Sequence, residues 1–387
     1  MKDFRVKLDY VLKHNILINK AFRFFASTGV KAIGLFTPLD EKSIIFSAHS
    51  RKYNDSPRAI YEYMITLPEF RDFTFYWALD DVGVSIPGKA IKIVPDTLSY
   101  FRIALQCKYW ITCVNIERSL NFKRKECVYL NTWHGIPIKT VGNCAAGRND
   151  YDFSYIDYFC ISGDYEIPIY KKSFNISSSQ FIKTGMPRND VLYNTTEEEI
   201  QNIKMRIGIP LNKKVILYAP TWRDSKDGGK SYTIKPPMNL KIWENKLGKD
   251  YILLFRTHPY TNKLLGVDFN SFVRDFSNYP DINDLMKVAN ILISDYSATI
   301  FDYAILERPI ISFAYDCDSY GIERGFEMNI RKEMPGGISE TEDAVIDRIL
   351  NMDYEKEVAA VKLFKRKYLT YGGKATRECI DKVFKNR

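Results

Sequence analysis

With 387 residues, the chain exceeds what one hydrophobic core usually serves, so two domains are expected. It carries 56 Lys and Arg against 47 Asp and Glu, a net charge of +9, which calls for an anionic partner: nucleic acid, a membrane surface or a phosphorylated substrate. The seven cysteines are odd in number and contain no CxxC pair, so they support neither a disulfide framework nor a zinc ribbon and fit a reducing cytoplasm.

The first predicted element is an amphipathic helix over about 3–27, with Phe4, Leu8, Val11, Ile18, Phe22 and Phe25 at three- and four-residue spacings. Its other face carries Lys2, Arg5, Lys13, Lys20 and Arg23, and residues 1–31 hold seven Lys or Arg against two Asp. Two readings stay open here: an interfacial helix on an anionic membrane, or a helix that packs its stripe on the protein. Lys20 and Arg23 interrupt the apolar run and no later run reaches spanning length, so neither a signal peptide nor a transmembrane segment is expected.

Short strands and helices then alternate, the pattern of parallel sheets. Strands are predicted at 43–46, 73–77, 91–94, 109–114, 128–130, 157–161 and 181–184, with helices at 56–67 and 97–106. A charged helix at 197–205 opens a second half with strands at 215–218, 251–255, 291–293 and 310–313. These are rich in Val, Ile, Leu and Phe, as sheets buried on both faces require. Helices at 341–350, 354–368 and 375–384 follow, and 224–230 (DSKDGGK) reads as a polar excursion. The fold class is α/β, with an N-terminal segment over 1–42, a Rossmann-like domain over 43–195 and a second over 196–387, their strand ends facing a central cleft.

The stretch 290–316 (NILISDYSATIFDYAILERPIISFAYD) reads as strand, turn, helix and strand. Asp295, Ser297 and Thr299 stand where the helix begins, and a helix start outside the carboxyl end of a parallel strand is suited to a phosphate. His134 follows the strand ending at Leu130 and is kept out of a helix by Gly135 and Pro137, which suits it to take a proton near neutral pH. Arg256 and His258 alternate onto one side of a strand end, and Arg223 ends TWR after another, so three donors are expected to converge on phosphate. His14 and His49 give weaker signals. GxGxxG, GxxxxGK[ST], HExxH and GxSxG are absent, which removes the main support for dinucleotide, P-loop, zinc-protease and nucleophile-elbow readings.

KYNDSPRAIYEYM, NTWHGIPIKTVG, LYAPTWR, FRTHP, SDYSATIFDYAILERPII with FAYD, and ERGF resemble, in order, the motifs of the CDP-glycerol glycerophosphotransferase family of teichoic-acid synthesis. The resemblance spans about 44–380. It implies a GT-B-like fold, a CDP-glycerol or CDP-ribitol donor with no separate cofactor or metal, CMP as leaving product, and a peripheral enzyme acting on a lipid-linked acceptor at the cytoplasmic face of the membrane. By position, His134 resembles the base, Thr132, Gly135 and Lys139 share its acceptor-side loop, and Arg256, His258 and Ser297 resemble the donor-phosphate site. The chain departs from the family with Ser297-Ala298-Thr299 in place of Ser-Ser or Ser-Thr, and with Gly372-Gly373 in place of an acidic-Gly pair. Two alternatives remain: a GT-B glycosyltransferase using a sugar nucleotide, and a basic nucleic-acid-binding protein, although no nucleic-acid partner is expected.

Overall fold

The computed structural model describes residues 16–148, 150–221, 223, 233–234, 237–257, 263–264 and 267–385. A first sheet is built from β1 (Asp40–Ser47), β2 (Thr74–Ala78), β3 (Ile91–Ile93), β4 (Cys107–Thr112), β5 (Val128–Asn131), β6 (Tyr158–Cys160) and β7 (Phe181–Ile182). Every pairing is parallel, in the order β3-β2-β1-β4-β5-β6-β7. The second half contains β8 (Lys214–Tyr218), β9 (Thr233–Ile234), β10 (Tyr251–Phe255), β11 (Lys263–Leu264), β12 (Val273–Asp275), β13 (Ile291–Ser294), β14 (Ile310–Phe313) and β15 (Ile338–Ser339). Its six-stranded sheet runs β12-β10-β8-β13-β14-β15, again all parallel, while β9 and β11 pair separately.

Both central strand sets are buried on two faces, which is why they read as unbroken apolar runs. Ile44, Ile45 and Phe46 of β1 are fully buried, as are Leu253, Leu254 and Phe255 of β10. Alternate residues of one strand serve opposite layers: Ile45 packs with Trp110 and Tyr129, whereas Ile44 and Phe46 pack with Tyr61 and Trp77. The strand order reverses between β1 and β4 in one half and between β8 and β13 in the other. Those are the two points where connections diverge and leave a crevice beyond the carboxyl ends.

The helices that matter for the site are α1 (Ile16–Leu35), α2 (Asp55–Met64), α3 (Leu98–Gln106), α4 (Glu166–Phe174), α5 (Thr299–Ala304), α6 (Cys317–Arg324), α7 (Tyr354–Tyr368) and α8 (Ala375–Ile380). The sequence places α8 with the second half, and the structure returns it to the first. Cys379, Ile380 and Val383 join the core of Ile44, Phe46 and Trp77, and Phe384 packs edge-on against Phe70. The pattern could not show this, because an apolar helix face does not name the sheet it covers. The two chain crossings that result meet at Gly185 and Gly372, where a Cβ on Gly185 would lie 2.7 Å from the Gly372 Cα and one on Gly372 would lie 2.2 Å from the Tyr193 hydroxyl. Side chains have no room there, which accounts for the Gly372-Gly373 departure.

The described part of the N-terminal helix packs one side on the protein. Phe4, Leu8, Val11, Lys2, Arg5, Lys13 and His14 lie outside the described residues. From Ile16 onward, Val30 is buried in the first core and the Ser27 hydroxyl accepts the Asn121 N–H at 2.9 Å. The Arg124 guanidinium donates to the carbonyls of Gly34 and Thr37. Phe24 and Phe25 on the outward side are 66% and 72% exposed. No described helix is long and apolar enough to cross a membrane.

Because Ile380 is 2% exposed within the first-half core, Ile380→Ala should cost about 2–5 kcal/mol. A thermal melt of the variant checks this, and an unchanged midpoint would mean that α8 only rests on the surface.

Candidate active site between the two halves

The loop that carries His134 is set by local hydrogen bonding. After β5, the Thr132 N–H continues the ladder to the Thr112 carbonyl at 2.8 Å, and the Asn131 Oδ1 accepts the Trp133 N–H at 2.8 Å. This turns Trp133 into the left-handed region, φ 53°, with its indole anchored against Phe174 at 4.5 Å between ring centres. His134 is thereby aimed back over the end of β4, where its Nδ1 meets the Cys113 carbonyl at 2.8 Å. A carbonyl only accepts, so Nδ1 carries the hydrogen and Nε2 keeps its lone pair. Burial, followed by the neighbouring His49, pushes the His134 imidazole down to about 4, so it is neutral at pH 7.

From Gly135 the same loop crosses to the other half. Ile136 and Ile138 insert into the second-half core beside Ile300 and Tyr320. The Ile138 carbonyl accepts the Glu327 N–H at 2.8 Å, and Lys139 bridges antiparallel to Phe326. A Cβ on Gly135 would lie 2.7 Å from the Ala298 Cβ. The loop that carries His134 thus touches the turn carrying Ser297 and Thr299, which explains both the glycine and the small residue at the Ala298 departure. Thr132 is buried with its hydroxyl on the Thr112 and Trp133 carbonyls, so it shapes the loop and does not face the cleft.

In the second half, the strand ends around β8 and β13 carry Arg223, Asp295, Ser297 and Thr299. The Ser297 hydroxyl lies 3.0 Å from the Thr299 hydroxyl and accepts the Thr299 N–H at 3.3 Å. Two of the predicted phosphate groups have other duties. The Asp295 carboxylate, 2% exposed, accepts the N–H groups of Thr221 and Tyr296, each at 2.7 Å, and pairs with Arg223 at 2.9 Å. The Arg223 guanidinium also makes a two-pronged bond to Asp316 at 2.9 and 3.0 Å and lies over the Tyr320 ring at 4.8 Å. Burial opposes its charge, but Asp295 and Asp316 outweigh this and raise its proton affinity. With Asp295, Asp316 and the Thr221 carbonyl around it, this guanidinium braces the loops of the crevice. Arg256 gives one nitrogen to the carbonyls of Phe276 and Ser277, at 2.8 and 2.5 Å. His258 and the 224–230 excursion lie outside the described residues.

A family model for CDP-glycerol:poly(glycerophosphate) glycerophosphotransferase matches residues 30–385. The chain belongs to this family. It is 32% identical to the teichoic acid glycerol-phosphate transferase of Staphylococcus aureus strain NCTC 8325, over 91% of this chain and 95% of that one. It is also 32% identical to the teichoic acid poly(glycerol phosphate) polymerase of Bacillus subtilis strain 168, over 90% of this chain but only 49% of that polymerase. The structure of the wall teichoic acid polymerase TagF superposes with a TM-score of 0.81 at 30% identity, covering 100% of this chain and 98% of the solved one. This glycerophosphotransferase-family chain therefore has the two-domain, GT-B-like architecture that its motifs imply.

The site contains groups that the sequence reading passed over. Arg188, in the connection between the halves, donates to both oxygens of Asp55 at 3.0 and 2.9 Å and to Asp302 of α5 at 2.9 Å. Asn189 donates to the other Asp302 oxygen at 2.6 Å. Burial alone would raise the Asp55 carboxyl, but Arg188 and the Ser56 N–H hold it below its ordinary value. His49 stands beside His134, with 5.3 Å between ring centres. Asp55 and Asp302 lie within matched motifs, yet nothing in their spacing reveals a common partner more than 100 residues away.

Arg188→Leu leaves two buried carboxylates without their cation and should cost about 3–5 kcal/mol at pH 8. In the parent, the depressed Asp55 pKa contributes stability that is present above the ordinary carboxylate range and lost as pH falls through the folded value. In the variant, the unpaired carboxyl is easier to protonate, so the deficit should shrink between pH 8 and 5. A deficit that stays constant over that range in thermal melts would show that the pair is not the cause.

Proposed function

We propose that the chain transfers an alditol phosphate, glycerol phosphate in the first instance, from a CDP-alditol to a hydroxyl of a lipid-linked wall or capsular polymer, releasing CMP. The observation that carries this is the contact of the His134 loop with the Ser297–Thr299 turn, which brings a neutral base from one half against a polar helix start from the other. Family membership and the TagF likeness support the same donor. The acceptor oxygen attacks the phosphorus that bears the alditol, and the bridging bond to the cytidine-bearing phosphate breaks. The acceptor proton passes to His134 Nε2. A diphosphate beside the ring favours the imidazolium and so strengthens the base when the donor is bound. Arg256, His258, Ser297 and Thr299 are the groups assigned to the diphosphate, and positioning and electrostatics supply most of the barrier reduction. Arg223 and Asp295 act from behind, as the brace of that crevice.

The outward Phe24 and Phe25 of α1 support peripheral attachment to an anionic membrane, with the packed side of the same helix fixing its orientation. Glutamate at both positions should abolish co-sedimentation with anionic vesicles while leaving the melting midpoint within about 1 °C, since exposed substitutions rarely change stability by more than ~0.5 kcal/mol. Retained sedimentation would remove α1 as the membrane contact.

Incubation with CDP-glycerol or CDP-ribitol and a lipid-linked acceptor should release CMP and place new phosphorus on the acceptor. A sugar-nucleotide glycosyltransferase would transfer no phosphorus. His134→Ala should lower turnover about 10²–10⁴-fold with donor binding retained, the usual worth of general-base assistance. Near-normal turnover in that variant would refute the assignment.

A further inference from the structure

The reversal of strand order between β1 and β4 places the end of β1 at the same crevice as His134, and the residue there is His49. The backbone around both rings is held in the left-handed region, with φ values of 53°, 54° and 59° at Ser50, Arg51 and Asp55 and 53° at Trp133. Such conformations persist only where the surroundings impose them, and they cluster at working sites. The rings are 5.3 Å apart at 51°, and the Ser50 hydroxyl meets the His49 Nδ1 at 3.1 Å.

We propose that His49 is a positioning residue for the base: of the two imidazoles it takes the pair's first proton, and in doing so keeps His134 free to accept the proton of the acceptor hydroxyl. This rests on the assignment of His134 as the base. Two imidazolium ions this close repel, so the pair takes up its protons one after the other. The surrounding charges decide the order. From α2, the Asp55 carboxylate is the strongest influence favouring a charged His49 and only a minor one on His134. From the connection between halves, Arg188 disfavours charge on both rings, and Asp302 of α5 is the second carboxylate on that guanidinium. Lys52 opposes charge on His49, while Cys113 at the end of β4 presents its carbonyl to His134 and keeps its thiol neutral through burial. Burial lowers both rings, and Asp55 is the leading counterweight only at His49.

Removing His49 should therefore raise the proton affinity of His134. In His49→Gln and His49→Asn, the acidic limb of kcat/KM for CMP release should move to higher pH by about one unit, the size of one close charge interaction. Ring-resolved NMR titration of the donor-free protein gives a readout independent of the reaction. In the parent, the His134 signals should shift once as His49 titrates and again at lower pH; in the variants they should shift once, at a higher pH. A His134 titration unchanged by either substitution, or a parent in which His134 titrates before His49, overturns the proposal. Absence of CMP release from the parent would instead overturn the transferase reading and leave the NMR result to decide the order of protonation.

Discussion

One guanidinium holds the halves in register. Arg188 receives a carboxylate from α2 of the first half and another from α5 of the second, and it sits on the connection between them. Both pairs are nearly dry, with side chains at most 11% exposed. In such surroundings a charge without its partner costs several kcal/mol, so the three groups are kept together or lost together. Asp302 belongs to the helix that begins at Thr299, and Asp55 lies within electrostatic reach of both His49 and His134. A rotation of one half against the other sufficient to part Ser297 from the His134 loop would also have to open these bonds.

The crevice of the second half uses the same device with opposite roles for the residues. There a single cation, Arg223, gathers two acids, Asp295 and Asp316, and three tyrosine rings lie within 5.5 Å of it. This ties the loop after β8 to the turns after β13 and β14. Motif position alone made Arg223 look like a phosphate ligand, because a strand-end arginine and an anion-binding helix start are drawn to the same crevice. In the structure its ion pairs are with Asp295 and Asp316.

Much of the architecture was legible because two-sided burial writes itself into the chain as short apolar runs. The strands at 251–255 and 310–313 match to the residue. The strands β12 and β15 were not legible, since Val273-Arg274-Asp275 and Ile338-Ser339 each carry a single apolar residue. Among candidate site residues, His134 stood out because Gly and Pro flanked it at a strand end. His49 gave a weak signal, as its turn lacks glycine and is forced by Ser50 and Arg51 adopting positive φ. Arg188 gave none: a buried ion triplet spanning three distant segments leaves no local pattern.

The return of residues 375–385 to the first half imposes an order on biosynthesis. The strands of the first sheet are complete at Ile182, but the layer over Ile44, Phe46 and Trp77 lacks Cys379, Ile380 and Val383 until roughly 200 further residues have been made. At roughly 5–20 residues per second, that apolar face waits about 10–40 s for its cover. The first half of this chain is thus the last to be finished, and during synthesis its exposed sheet face is where a chaperone would find a binding surface.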